Sequence, residues 1–174
     1  GAFVGVELGV QTFDEEQLIW MRRGHSAQRS IWAIHKISEQ APEVNLGIHL
    51  MFGLPNETDE QIVKSAETVN QLPVHNVKLH NLHVLKNTPL EQDYLRGQFK
   101  PIDRATYFDR CRLFLEHLSP SIAVHRLSAL STRPDELVAP GWTAKKMETY
   151  QHMLNYMGEM GAYQGKALIE SDSV

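Results

Sequence analysis

Cysteine is nearly missing from these 174 residues, Cys111 being the only one. A single thiol closes no disulfide within the chain and builds no cysteine metal site, which excludes a disulfide-stapled fold and a self-contained zinc or iron–sulfur loop. Its setting, an apolar helical stretch, points to buried packing. Excess positive charge is missing as well: 17 Lys and Arg stand against 21 Asp and Glu, a formal charge of -4. The chain therefore has no global basic field to draw nucleic acid or an anionic membrane. No apolar run approaches the ~18 residues of a membrane span, and the N-terminus lacks the charged-then-apolar layout of a secretion signal. Low-complexity tracts, long linkers and sequence repeats are absent. These absences predict a soluble, cytoplasmic protein with no membrane partner.

What is present begins with a strand. Val4, Val6, Leu8 and Val10 form one apolar parity, and Phe3, Gly5, Glu7, Gly9 and Gln11 form the other, the period-two mark of an extended segment. Gly5 and Gly9 flank Glu7 and clear space beside a carboxylate. Thr12 with Glu15 reads as a capping box opening a helix that closes at Arg22, Arg23 and Gly24. Ser26 opens a second helix through Ile31, Ile34 and Ile37, ending before Pro42.

The second strand, Val44 to Phe52, repeats this design. Its apolar face is Val44, Leu46, Ile48, Leu50 and Phe52, and its other face carries Asn45, Gly47, His49 and Met51. Thr58 with Gln61 caps the next helix, whose buried stripe is Ile62, Ala66 and Val69. A third strand, Val74 to Val84, places Lys78, His80 and Leu82 on one parity. A loop over residues 86–101, a helix capped by Asp103, a short strand from Ser121 to Leu127 and a polar loop follow. Thr143 opens the last helix, where Met147, Tyr150, Leu154, Met157 and Met160 recur at helical spacing and read as core.

Alternating strands and helices with short connections predict an α/β fold with parallel strands covered by helices, too few to close a barrel alone. Ligands bind such folds at the carboxyl ends of the strands. Glu7, Gln11, His49, Lys78 and His80 gather on one side of that sheet.

In order along the chain, VELGVQTF then RRGH, HLMFGLPNET, VKLHNLHVLKNTPL, VHRLSALSTRPDELVAPGW and YQGKAL resemble the second half of the radical S-adenosylmethionine barrel. The branch is the one that includes the Elongator catalytic subunit, and the likeness is greatest to its YhcC-type members. The resemblance implies a partial TIM-type (β/α)6 barrel, strands 4 to 6 with their helices over residues 1–118, and a family-specific strand and helix extension over 119–174. It implies S-adenosylmethionine and a 4Fe-4S cluster as cofactors, reductive cleavage to a 5'-deoxyadenosyl radical, and a tRNA wobble uridine as candidate substrate. The family binds its cluster through CxxxCxxC, which is absent here. The chain is therefore expected to be a carboxy-terminal portion, inert by itself, whose exposed sheet edge at Phe3 to Leu8 favours self-association.

Residue by residue, Gln11 matches the glutamine that hydrogen-bonds the ribose, and Arg23 an arginine that pairs with the methionine carboxylate. His49 falls where a relative touches the ribose with an aspartate. His80 and Leu82 match the place where adenine is held, and Glu7 faces inward to bind ligand or brace Arg23. Each has a plainer alternative: helix-end complementarity for Arg23, and satisfied core histidines at 49 and 80. Lys78, Arg126 and Arg133 are candidates to meet an anionic substrate, or solvated charges. A second class of function, a metal-dependent hydrolase using His49, His80 and His83, has the right ligand count but the wrong parity, since His80 and His83 alternate faces on a regular strand.

Overall fold

The computed structural model describes residues 4–131 and 133–171; the first-strand position Phe3 lies outside them. Four parallel strands form the main sheet in the order β1 (Gly5–Gln11), β2 (Asn45–Phe52), β3 (Asn76–Asn81), β5 (Ala123–Arg126). The crossovers are helical: α1 (Glu15–Trp20) and α2 (Ala27–Gln40) between β1 and β2, α3 (Asp59–Asn70) between β2 and β3, and α5 (Arg104–His117) before β5. Sequential strands lying side by side with intervening helices are what parallel pairing requires. The architecture is the expected α/β sheet, consistent with a partial barrel.

One face of the sheet builds the core. Val10, Leu46, Ile48, Leu50, Phe52, Val77 and Leu79 are almost fully buried against Ile34, Ile62, Ala66, Val69 and Phe114 from the helices. Burying each such side chain favours folding by roughly 1.5–3 kcal/mol. Helix entries are chemically fixed: Ser26 caps α2, Thr58 and Gln61 form the expected reciprocal capping box on α3, and Asp103 caps α5.

Four expectations change. Thr12 with Glu15 is not the cap of α1. Asp14 accepts from the Gln17 backbone N–H, while the buried Thr12 hydroxyl donates to Gln17 Oε1 and Glu15 reaches across to the N–H of Ala27 at 2.8 Å. The long third strand is shorter: β3 stops at Asn81, and β4 (Val84–Leu85) turns away to pair antiparallel with β6 (Leu137–Ala139). Within the 86–101 loop, Thr88 caps a short helix, α4 (Pro89–Leu95).

The helix expected from Thr143, α6 (Lys146–Glu159), begins after a 3-10 turn that buries Thr143. Its core residues are Met153 and Met157, whereas Met147, Tyr150, Leu154 and Met160 are exposed. The stripe therefore runs one step round the helix from where hydrophobicity alone placed it, because Thr149 is buried by donating to the Trp142 carbonyl at 2.6 Å. A short α7 (Lys166–Ser171) follows. No helix among the described residues is long and apolar enough to cross a membrane.

Candidate functional site

The other face of the sheet is polar, and its side chains touch in a row from one edge of the sheet to the other. Glu7 on β1 accepts hydrogen bonds from Lys78 Nζ and, at 2.8 Å, from His49 Nε2. The His49 ring stacks on His80 with centroids 4.9 Å apart. Arg126 on β5 donates through Nη2 to the His80 ring. The hydrogen bonds from Lys78, which contributes most, and from His49 hold the Glu7 carboxyl down at about 2. Burial, reinforced by Arg126, pushes His80 down to about 4, so its imidazole is neutral at physiological pH and serves Arg126 as an acceptor.

Irregular backbone at the strand ends aims two of these groups. In β5, Val77 pairs with Val124 but Lys78 pairs with Arg126. Simple alternation would put His125 beside Lys78; the extra residue presents Arg126 instead, as bulges beside functional sites do. In β1 the register also slips between Leu8 and Gln11, and Gln11 takes φ 71, a left-handed conformation uncommon for a residue with a side chain.

At the β1 end of the row, Arg23 Nη2 donates to the Gly9 carbonyl at 2.7 Å. A Cβ on Gly9 would sit 2.8 Å from Gln11 Nε2 and 3.4 Å from Arg23 Nη2. Gly9 thus keeps open the space that a carboxamide and a guanidinium share. Arg23 is exposed, and no carboxylate pairs with it among the described residues. Its remaining N–H donors form the planar fork that suits a carboxylate.

The candidate residues thus fall into two adjoining groups. Gln11 and Arg23 meet around Gly9, while Glu7, Lys78, His49, His80 and Arg126 are linked by direct contacts. Glu7 braces Lys78 and His49, not Arg23 as one expectation held. Leu82, one residue past β3, packs against the small cluster of Val84, Phe99 and Ala139. Arg133 is exposed and pairs with Glu136 at 3.2 Å. His83 Nε2 is turned to Asn81 Nδ2 at 2.8 Å, so the metal triad of His49, His80 and His83 does not assemble. No cluster of three or more His, Cys, Asp or Glu placed to hold an ion occurs among the described residues.

Two features had no sequence signal. Glu57, after β2, accepts from the Gly53 N–H at 2.8 Å and from Arg110 Nη1 at 2.5 Å, a buried pair 53 residues apart in the chain. On the helix side of the β1 and β2 ends, a cavity of about 230 Å³ is lined by Gln11, Thr12, Gln17, Phe52, Glu57 and Ile62 among others.

Matches to known proteins give the family. Residues 1–69 match the radical SAM superfamily and residues 74–159 match the radical SAM C-terminal domain. The chain belongs to the radical SAM superfamily. Protein YhcC of Escherichia coli K12 is 29% identical over 170 residues, which are 97% of this chain and 53% of that protein. A tRNA uridine(34) acetyltransferase of Methanocaldococcus infernus is 34% identical over 99 residues, 55% of this chain and 18% of that protein. Archaeal Elp3 from the same organism, solved with its N-terminus deleted, superposes with a TM-score of 0.79 at 23% identity, covering 92% of this chain and 37% of that one. The chain spans about half the length of the curated relatives that match it nearly end to end.

The superfamily implies S-adenosylmethionine and a 4Fe-4S cluster, and the two fit these residues differently. Cys111 is fully buried on α5, its Sγ faces the Leu127 carbonyl at 3.6 Å, and burial pushes the thiol well above its usual range. A 4Fe-4S cluster is held by several Cys thiolates, and the single thiol of these 174 residues is enclosed in the core, so these residues do not ligate one. Around Gly9, Gln11 offers a carboxamide and Arg23 a guanidinium without a carboxylate partner among the described residues, groups of the chemistry that meets hydroxyls and a carboxylate.

Proposed function

We propose that this chain forms the S-adenosylmethionine-holding and substrate-facing wall of a radical SAM enzyme that generates a 5'-deoxyadenosyl radical. The observation that carries this is the placement of Arg23 and Gln11 on either side of the space above Gly9, at the carboxyl end of β1. In this reading Arg23 pairs with the methionine carboxylate, and Gln11 hydrogen-bonds the ribose. His49 adds a ring nitrogen to the ribose side, His80 and Leu82 bound the adenine side, and Glu7 sets the orientation of His49. The cluster and the electron that cleaves the cofactor come from outside these 174 residues, so the chain is inactive alone. The proposed substrate is a tRNA wobble uridine, the reading favoured by the kinship with tRNA uridine(34) acetyltransferases.

The test is anaerobic incubation of the whole protein, cluster reconstituted, with dithionite and S-adenosylmethionine. Formation of 5'-deoxyadenosine, increased by unmodified tRNA, supports the reading. Absence of 5'-deoxyadenosine overturns it, and formation unaffected by tRNA removes the tRNA assignment.

A further inference from the structure

The charges along the polar face do not cancel. Lys78 is matched by Glu7. At the far end of the row, Arg126 has one side-chain partner among the described residues, the neutral ring of His80. Arg126 Nε is buried and has no hydrogen-bond partner. A half-buried guanidinium whose Nε–H is shut off from water without an acceptor is costly, and it is the β5 bulge that turns this particular side chain onto the polar face. The carboxylates elsewhere in the chain that hold arginines, Glu57 for Arg110 and Glu116 for Arg112, have no counterpart here.

We propose that Arg126, oriented by His80, binds an oxyanion of the substrate, a phosphate or carboxylate group, at the opposite end of the polar face from Arg23. This rests on the reading of that face as the substrate wall. Two arginines then divide the work: Arg23 takes the carboxylate of the cofactor, and Arg126 takes an anionic group of the molecule to be modified. An oxyanion beside Arg126 gives the guanidinium the acceptor it lacks, and a planar fork is the geometry that meets such a group bidentately. His80 accepts from one amino group and leaves the rest of the fork to face the ligand.

The test titrates the 174-residue chain with inorganic phosphate and, separately, with acetate, in the absence of S-adenosylmethionine. The ring resonances of His80 and the Nε–H resonance of Arg126 are followed by NMR. Saturable shifts of both signals are expected, retained in Arg133→Gln. The His80 shift should vanish in Arg126→Gln and need roughly tenfold more anion in Arg126→Lys, which keeps the charge and loses the fork. Tighter binding of phosphate assigns a nucleotide-like anion, and tighter binding of acetate a carboxylic acid. Shifts that do not saturate, or that persist in Arg126→Gln, overturn the proposal. If Arg126→Gln fails to fold, the Arg126→Lys comparison decides, equal affinity for wild type and variant being the contrary result. This titration reads the anion site alone, so its outcome is separable from that of the 5'-deoxyadenosine assay.

Discussion

Arg126 donates a hydrogen bond to the ring of His80 from the neighbouring strand, although simple alternation along β5 would have pointed His125 there. The contact requires His80 to stay neutral, and its pKa is lowered to about 4 by burial and by Arg126 itself.

That relationship sets a pH dependence. A histidine whose folded pKa lies below its ordinary 6.5 binds fewer protons folded than unfolded, so its stabilisation is fully present above 6.5 and is lost as pH falls from 6.5 through 4. The part of the stability profile due to His80 should fall by on the order of 1 kcal/mol in that window after solvent screening. Denaturant unfolding at pH 7 and pH 4.5 measures it. A His80→Gln variant should show a flatter profile, and an unchanged slope would contradict the assignment.

Glu7 is also shifted downward, and it responds to acid in the same direction. Its folded pKa of about 2 lies below the ordinary 4.5, so its contribution is present above 4.5 and lost as pH falls towards 2. Because Glu7 is exposed, a double-mutant cycle of Glu7→Gln with Lys78→Met should give a coupling of only about 0.2–1 kcal/mol. A coupling of several kcal/mol would show the face to be far drier than the structure makes it.

Two glycines on the polar face should respond differently to a methyl group. A Cβ on Gly47 would lie 2.3 Å from Oδ1 of Asn76, a buried amide whose Nδ2 is fixed on Asn45 at 2.6 Å, so Gly47→Ala should destabilise by about 1–3 kcal/mol. At Gly9 the obstacle is the end of the Gln11 side chain, which can swing away. Gly9→Ala should therefore change thermal stability little while weakening S-adenosylmethionine binding by the whole protein. Equal loss of stability in the two variants would contradict this distinction.

Glu57 and Arg110 test the support beneath the strand ends. Their side chains are 4% and 12% exposed, and Arg110 Nη2 also donates to the Glu57 carbonyl at 2.6 Å. Glu57→Ala leaves the largely buried Arg110 guanidinium with only the exposed Asp59 at 4.0 Å and should cost about 3 kcal/mol in chemical denaturation. A loss below 1 kcal/mol would mean that water readily replaces the carboxylate.

Much of this organisation was legible in the residues. Period-two alternation located β1 and β2, and Thr58, Gln61 and Asp103 marked helix starts, because each of these features is local. The gathering of Glu7, His49, Lys78 and His80 was legible for the same reason: parity plus parallel pairing assigns a face without knowledge of contacts. What escaped is non-local or irregular. The β5 bulge that selects Arg126 over His125 has no period, and the Glu57–Arg110 pair joins segments 53 residues apart. The end of β3 at Asn81 depends on that side chain's bonds to His83 and to the Ala129 N–H, a tie 48 residues long. Thr12 was misread because two acceptable caps, Thr12 and Asp14, lie two residues apart, and only tertiary contacts choose between them.

The most direct test of the central claim compares Arg23→Ala with Arg22→Ala in the whole protein, cluster reconstituted, measuring 5'-deoxyadenosine formation against S-adenosylmethionine concentration. Loss of a charge-assisted contact of about 1.5–3 kcal/mol predicts a KM for S-adenosylmethionine raised roughly 10- to 100-fold in Arg23→Ala. Arg22→Ala should match wild type. Equal KM values in Arg23→Ala and wild type would show that Arg23 does not hold the cofactor.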